Sequence, residues 1–209
     1  MAIRIEFFHD VVCGWCYIQS PILRKIQEKY NVEVIHRCFV LQRTPQEMAV
    51  RFGSLNNAKK EILRHWESCQ KFEGSVGRFN IEGMNKASFS YPSGMLAAQA
   101  CKASDRLAGP SAHWDIFDAL QRAHLQRAEN IGDLDVVLKT AVQLGFDSNE
   151  FLKAMYDLST FESIEEDNRW AKELYIQTIP AFSVNGDEVF RSTTRYEALD
   201  AYFGILTVT

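Results

Sequence analysis

Apolar and polar positions change period several times along the chain, and the changes mark its elements. Residues 3–8 set Ile3, Ile5 and Phe7 against Arg4, Glu6 and Phe8, which predicts a strand with one well-buried face. Residues 13–30 read as a helix whose first turns are interrupted by Pro21, a residue with no backbone donor that is expected to kink them. Residues 32–41 are rich in β-branched and aromatic side chains and predict a second strand, completing a βαβ opening. After Thr44-Pro45 the spacing turns helical, predicting helices over 47–52, 58–72, 92–104, 111–127, 134–144, 148–158 and 161–174. Gly109-Pro110 and Gly145 act as stops, and Ser159-Thr160-Phe161-Glu162 has the form of a capping box. Strand character returns at 181–184 and 188–191 around Asn185-Gly186, a strong hairpin signal. Thr194-Arg195-Tyr196-Glu197 then opens a last helix to about Phe203. The expected fold class is α/β, in the order βαβ…ββα. Residues 1–42 and 175–209 form one discontinuous unit, and 43–174 form an all-helical insertion.

Composition narrows the function. The chain has 209 residues, 46% hydrophobic and 24% charged, which excludes disordered and fibrous classes. Its 23 Lys+Arg against 27 Asp+Glu leave a net charge of −4, with no basic excess to neutralise phosphates, so no nucleic-acid partner is expected. Ile3-Arg4-Ile5-Glu6 follows the start without a secretory pattern, and no apolar run approaches the roughly 18 residues of a membrane span. Five cysteines is an odd number, unlike the even sets of disulfide-stapled secreted domains. The expectation is a soluble cytoplasmic protein with no membrane partner.

The chemistry concentrates at Cys13-Gly14-Trp15-Cys16, where the first strand hands over to the first helix. Unpaired amides and the positive end of the helix dipole stabilise an anion at a first turn. A sulfur two intervening residues further on can close a small disulfide ring, so one exposed thiolate attacks and a shielded neighbour resolves. A zinc knuckle would need a second ligand pair. Cys38, Cys69 and Cys101 are scattered, and His65 with Cys69 is the sole other close pairing, so no metal ligands are assigned. Far away in sequence, Ile179-Pro180 precedes a predicted strand, where a lone proline is ordinarily a trans strand-starter.

Together these residues resemble the thioredoxin fold: strand, C-x-x-C at a helix start, Pro21 five residues after the second cysteine, and a late Ile-Pro before a hairpin and helix. The long helical stretch resembles the DsbA branch. Phe8-His9-Asp10-Val11-Val12-Cys13-Gly14-Trp15-Cys16-Tyr17-Ile18 is similar to the aromatic-Asp-x-x-Cys-Pro-Trp-Cys-Tyr segment of the FrnE-like group. That group is related to the 2-hydroxychromene-2-carboxylate isomerases and kappa-class glutathione transferases. The resemblance implies a thiol–disulfide oxidoreductase with Cys13 as nucleophile, Cys16 as resolving thiol and Pro180 as a cis-proline facing them. It implies that the Ile179 backbone is turned outward to pair with a substrate chain. Trp15 is expected to face substrate, and Asn85 matches an asparagine that opens a helix beside the active site; an N-cap role alone accounts for it equally well. Substrates would be protein or small-molecule disulfides and thiols. No organic cofactor is required, glutathione can serve as co-substrate, and a homodimer is among the assemblies allowed. A glutathione-dependent isomerase or transferase is the alternative, with a serine usually at the place of Cys13. Two departures stand out: Gly14 replaces the usual proline, and residues 190–195 lack a glycine the family often carries there.

Other residues have plainer readings. Cys38 and Cys101 are expected to be small buried hydrophobes. Trp114, Phe117, Leu120 and His124 fall at helical spacing and are expected in the core. Asp10 is read as a local turn-former.

Overall fold

The computed structural model describes residues 3–74 and 77–206. Four strands form one sheet: β1 (Arg4–His9), β2 (Glu33–Cys38), β3 (Ala181–Val184) and β4 (Glu188–Phe190), in the order β2-β1-β3-β4. The β1 and β2 strands are parallel with Ile5 opposite Val34 and Phe7 opposite His36, whereas β3 runs antiparallel to both β1 and β4. Between β1 and β2 lies helix α1 (Gly14–Tyr30). Between β2 and β3 come α2 (Pro45–Phe52), α3 (Leu55–Glu73), α4 (Ile81–Lys86), α5 (Met95–Ala108) and α6 (Pro110–Gln121), which runs on into a π-helical segment, Arg122–Gln126. Then follow α7 (Leu134–Gln143), α8 (Ser148–Met155) and α9 (Leu158–Glu173); α10 (Tyr196–Leu206) ends the described chain. This is the α/β, βαβ…ββα order expected from the periodicity, and it fits the thioredoxin fold that the resemblance implies.

The period-two alternation of β1 explains why the sheet is covered on both sides. Ile5 and Phe7 join Leu23 and Ile26 of α1, Phe117 of α6 and Phe203 of α10 in the larger core cluster. Phe8 points the other way, into a smaller cluster with Ala171 of α9, Ile176 and Ala181. On that second face Glu6 is also buried, and it is fully engaged. Arg37 donates to it at 2.5 Å, Trp170 at 2.9 Å and Ser183 at 3.3 Å. Arg37 also pairs with Asp167 of α9 at 3.1 Å, and Lys102 of α5 pairs with the same carboxylate at 2.5 Å. Asp167 further accepts from Cys38 N at 2.7 Å, clamping α9 to the end of β2.

The hairpin forms as the Asn-Gly signal requires, with Asn185 at φ 53° and Gly186 at φ 81°, both left-handed. Elsewhere the boundaries move. The second strand ends at Cys38 rather than residue 41, and α9 starts at Leu158 because Asp157, not Ser159, caps it by accepting from Ser159 N. The short helix α4 has no counterpart in the sequence reading. Pro21 does lie within α1, which continues through it. A proline at position 21 leaves the Tyr17 carbonyl without its usual i+4 donor. Arg78 takes that carbonyl at 3.1 Å, places its guanidinium 4.0 Å from the Tyr17 ring centroid, and pairs with Glu73 at the end of α3. The break in the helix ladder thus becomes a tie between α1 and the segment after α3.

Candidate active site

Cys13 is the N-cap residue of α1, with extended backbone (φ −87°, ψ 113°), and its sulfur accepts a hydrogen bond from Cys16 N at 3.4 Å. The thiol therefore sits where first-turn amides and the helix dipole act on it, as the spacing predicted. Across the site the Ile179–Pro180 peptide is cis, and Cys13 Sγ lies 3.9 Å from the Ile179 carbonyl oxygen, within reach of a weak S–H···O contact. So residues separated by 166 positions in sequence meet at one sulfur. Both cysteines are free. Cys13 keeps 7% of its surface and Cys16 none, a more enclosed pair than the exposed turn expected. Burial first, and then the neighbouring Cys13, push the Cys16 thiol well above its ordinary value.

The loop feeding the pair is pinned from three sides. Tyr91 donates to Val12 O at 2.8 Å, and the Gln121 amide lies 3.3 Å from Cys13 O and 3.4 Å from Val11 O. Asp10 does form the local turn expected of it, accepting from Val12 N at 3.3 Å. It also reaches Leu41 N at 2.8 Å, beyond the end of β2. Its carboxylate lies against Gly94 at the start of α5: a Cβ there would come within 2.1 Å of Oδ1. Burial pushes the Asp10 carboxyl up to about 6, against the hydrogen bonds from the main chain that favour its charged form.

Gly14 has a similar explanation. A Cβ at this position would lie 3.1 Å from Cys69 Sγ and 3.1 Å from the Phe79 ring, so the α3 wall is packed against a bare backbone. A glycine at the place of the usual proline admits that close approach. Cys69 is itself fully buried, with a thiol pushed up by burial.

Trp15 is half-buried, its indole edge-on to Phe72 of α3 at 5.5 Å, and Arg195 lies over the Phe72 ring, 4.3 Å from its centroid. The loop 190–195 is anchored beside it, with Thr194 N donating to Gln19 at 2.7 Å. Asn85 does not take the place expected of it. It lies exposed, one residue from the end of α4, in a groove with Asn56, Lys60 and Phe89. The helix-opening role belongs to Asn80, whose side chain accepts from Gly83 N at 2.9 Å. Cys38 and Cys101 are buried as expected, as are Trp114, Phe117, Leu120 and His124. A grouping of three histidines escaped the sequence reading. His9, His36 and His113 come from β1, β2 and α6, and their nearest ligand atoms lie within 4.8 Å of one another. Only the parallel register that sets Phe7 opposite His36 brings the first two together, and no local spacing signals it.

Sheet order, cis-proline and a helix-capping CxxC cysteine define a thioredoxin-fold protein of the kind that carries helices between its two halves. The chain belongs to the DSBA-like thioredoxin domain family, whose pattern it matches over residues 4–204. Among curated proteins it is 25% identical over 183 residues to the ClpXP adapter protein SpxH of Bacillus subtilis, covering 87% of this chain and 58% of that one. The chain therefore spans little more than half the length of that relative. Among solved structures it is similar to the cytosolic disulfide reductase DsbM from Pseudomonas aeruginosa with GSH: TM-score 0.79, 18% identity, 99% of this chain and 100% of that one. It is also similar to a 2-hydroxychromene-2-carboxylate isomerase, with TM-score 0.66, 15% identity, and 97% and 95% coverage. Among the described residues no helix is long and apolar enough to cross a membrane.

Proposed function

We propose that the chain is a thiol–disulfide oxidoreductase working through Cys13 and Cys16, and that it is cytoplasmic. The observation that carries this reading is Cys13 Sγ at the α1 N-cap, hydrogen-bonded by Cys16 N and facing the Ile179 carbonyl. In the reductive direction the Cys13 thiolate attacks a substrate disulfide, forming a mixed disulfide and releasing one substrate thiolate. Cys16 then loses its proton and attacks Cys13 Sγ, which releases the second substrate thiolate and leaves the Cys13–Cys16 disulfide. The Cys16 proton ends on the departing substrate thiolate, so the step balances. Two glutathione molecules restore the dithiol and leave as one glutathione disulfide, so electrons balance without an organic cofactor. Trp15, Ile179 and Pro180 border the substrate chain, and Arg195 beside Phe72 places a cation at the rim for the carboxylates of glutathione.

The likeness to a 2-hydroxychromene-2-carboxylate isomerase keeps one other reading in play, glutathione-dependent isomerisation on the same scaffold. A Cys16→Ser variant separates the two. Exposed to oxidised glutathione, it is expected to accumulate a glutathione adduct at Cys13, detected by mass spectrometry, because attack survives and resolution does not. Adducts found mainly at Cys38, Cys69 or Cys101 would overturn the assignment.

A further inference from the structure

The buried histidines are not used by the disulfide chemistry. His9 and His36 are 1% and 4% exposed and His113 is fully buried. The His36 Nδ1 and His9 Nε2 atoms are 3.0 Å apart, and the His36 and His113 rings stack with centroids 4.8 Å apart. His9 Nδ1, His36 Nε2 and both nitrogens of His113 have no hydrogen-bond partner. Leaving one buried polar group unsatisfied is ordinarily costly, and these three neighbouring rings carry four such atoms.

We propose that His9, His36 and His113 form a three-imidazole site for a divalent transition-metal ion of the zinc type. Three neutral imidazoles with a vacant fourth position suit zinc and its neighbours, not calcium or magnesium. In a tetrahedral site with metal–nitrogen bonds near 2.0–2.1 Å the ligand nitrogens stand about 3.3 Å apart. His9 Nε2 and His36 Nδ1, which already contact each other at 3.0 Å, are close to that spacing, and closing a 4.8 Å spread to it asks for about 1.5 Å of side-chain adjustment. Asp105 Oδ2 lies 3.8 Å from His113 Nδ1, beyond a hydrogen bond but near enough that a small movement would let the carboxylate orient this imidazole and leave its other nitrogen for the metal. The cations facing the cluster are compensated. Lys102 pairs with Asp167 at 2.5 Å, and Arg24 pairs with Asp115 at 3.0 Å and Asp118 at 2.8 Å. Because all three are enclosed, the ion is expected to enter as the chain folds.

The test uses the full chain carrying Cys13→Ser and Cys16→Ser, so that the redox thiols contribute no zinc binding. This protein is refolded with zinc, dialysed, and assayed for retained metal by elemental analysis and for ligand type by X-ray absorption. The expected result is about one zinc per chain with imidazole scattering and no sulfur, and a higher Tm than the zinc-free protein. Adding His36→Gln or His113→Gln is expected to cut retention at least about tenfold. If those variants fail to fold, the absorption spectrum of the histidine-intact protein decides alone. Retention well below one ion per chain, sulfur in the coordination sphere, or full retention by folded histidine variants would overturn the proposal.

Discussion

At Gly94 the main chain runs against the Asp10 carboxylate, and that single contact joins the start of α5 to the loop before Cys13. A methyl group here would sit 2.1 Å from Oδ1 and cannot be absorbed, because the short Asp10 side chain is held by Val12 N and Leu41 N. Gly94→Ala is expected to destabilise the protein by about 2 kcal/mol or more, the scale of overpacking a tight interior. Urea unfolding measures this. A variant as stable as the parent would mean that Asp10 is not fixed against α5. Gly14 is a milder case, since its nearest neighbours would have to give by only a few tenths of an ångström. The two glycines therefore do different jobs: one admits a charged group, the other a thiol and a ring.

Elements are held together here by a few polar ties set in apolar packing. The carbonyl freed by Pro21 is the clearest of them, because Arg78 both hydrogen-bonds it and stacks on the ring of the same residue, Tyr17. Arg78→Ala should cost about 1–3 kcal/mol through the unsatisfied Tyr17 carbonyl, read again by urea midpoint. No change would show that water replaces the guanidinium. The other tie joins the sheet to α9 through Glu6, Arg37 and Asp167. Burial by itself would raise the Glu6 carboxyl, but hydrogen bonds from Arg37 and Trp170, with the Arg37 charge, outweigh it and hold the group below its ordinary 4.5. A carboxyl depressed in the folded state contributes stability above its unfolded value and loses it as pH falls through the folded one. Stability should therefore drop below about pH 4.5, and Glu6→Gln should flatten that drop. Equal acid sensitivity in parent and variant, in denaturation at pH 7 and pH 3, would remove Glu6 from the explanation.

For the whole molecule, the strands, the helix-opening CxxC and the hairpin were legible because each rests on local pattern: alternation in β1, turn chemistry at Asn185-Gly186, a cysteine before a helical run. What stayed hidden is long-range. Arg78 on Tyr17, Asp10 on Gly94 and Leu41, and three histidines on three elements all depend on how separate segments pack. Asn85 shows the opposite error, a residue matched by sequence position while Asn80 does the capping five residues earlier. If Cys13 and Cys16 act as the proposed redox couple, its potential is set by modest means. The Cys13 sulfur receives a hydrogen bond from Cys16 N at a helix start, and the intervening Gly14-Trp15 carries no charge. A helix terminus stabilises an anion by about 0.3–2 kcal/mol, which places the couple nearer thioredoxin, at about −270 mV, than DsbA, at about −120 mV. The direct measurement is equilibration of the full chain in glutathione redox buffers, with the Cys13–Cys16 disulfide quantified after acid quenching and alkylation. The expected result is a single two-electron transition with a midpoint close to the thioredoxin end. A chain whose Cys13 and Cys16 never join in an intramolecular disulfide, even in the most oxidising buffer, would contradict it.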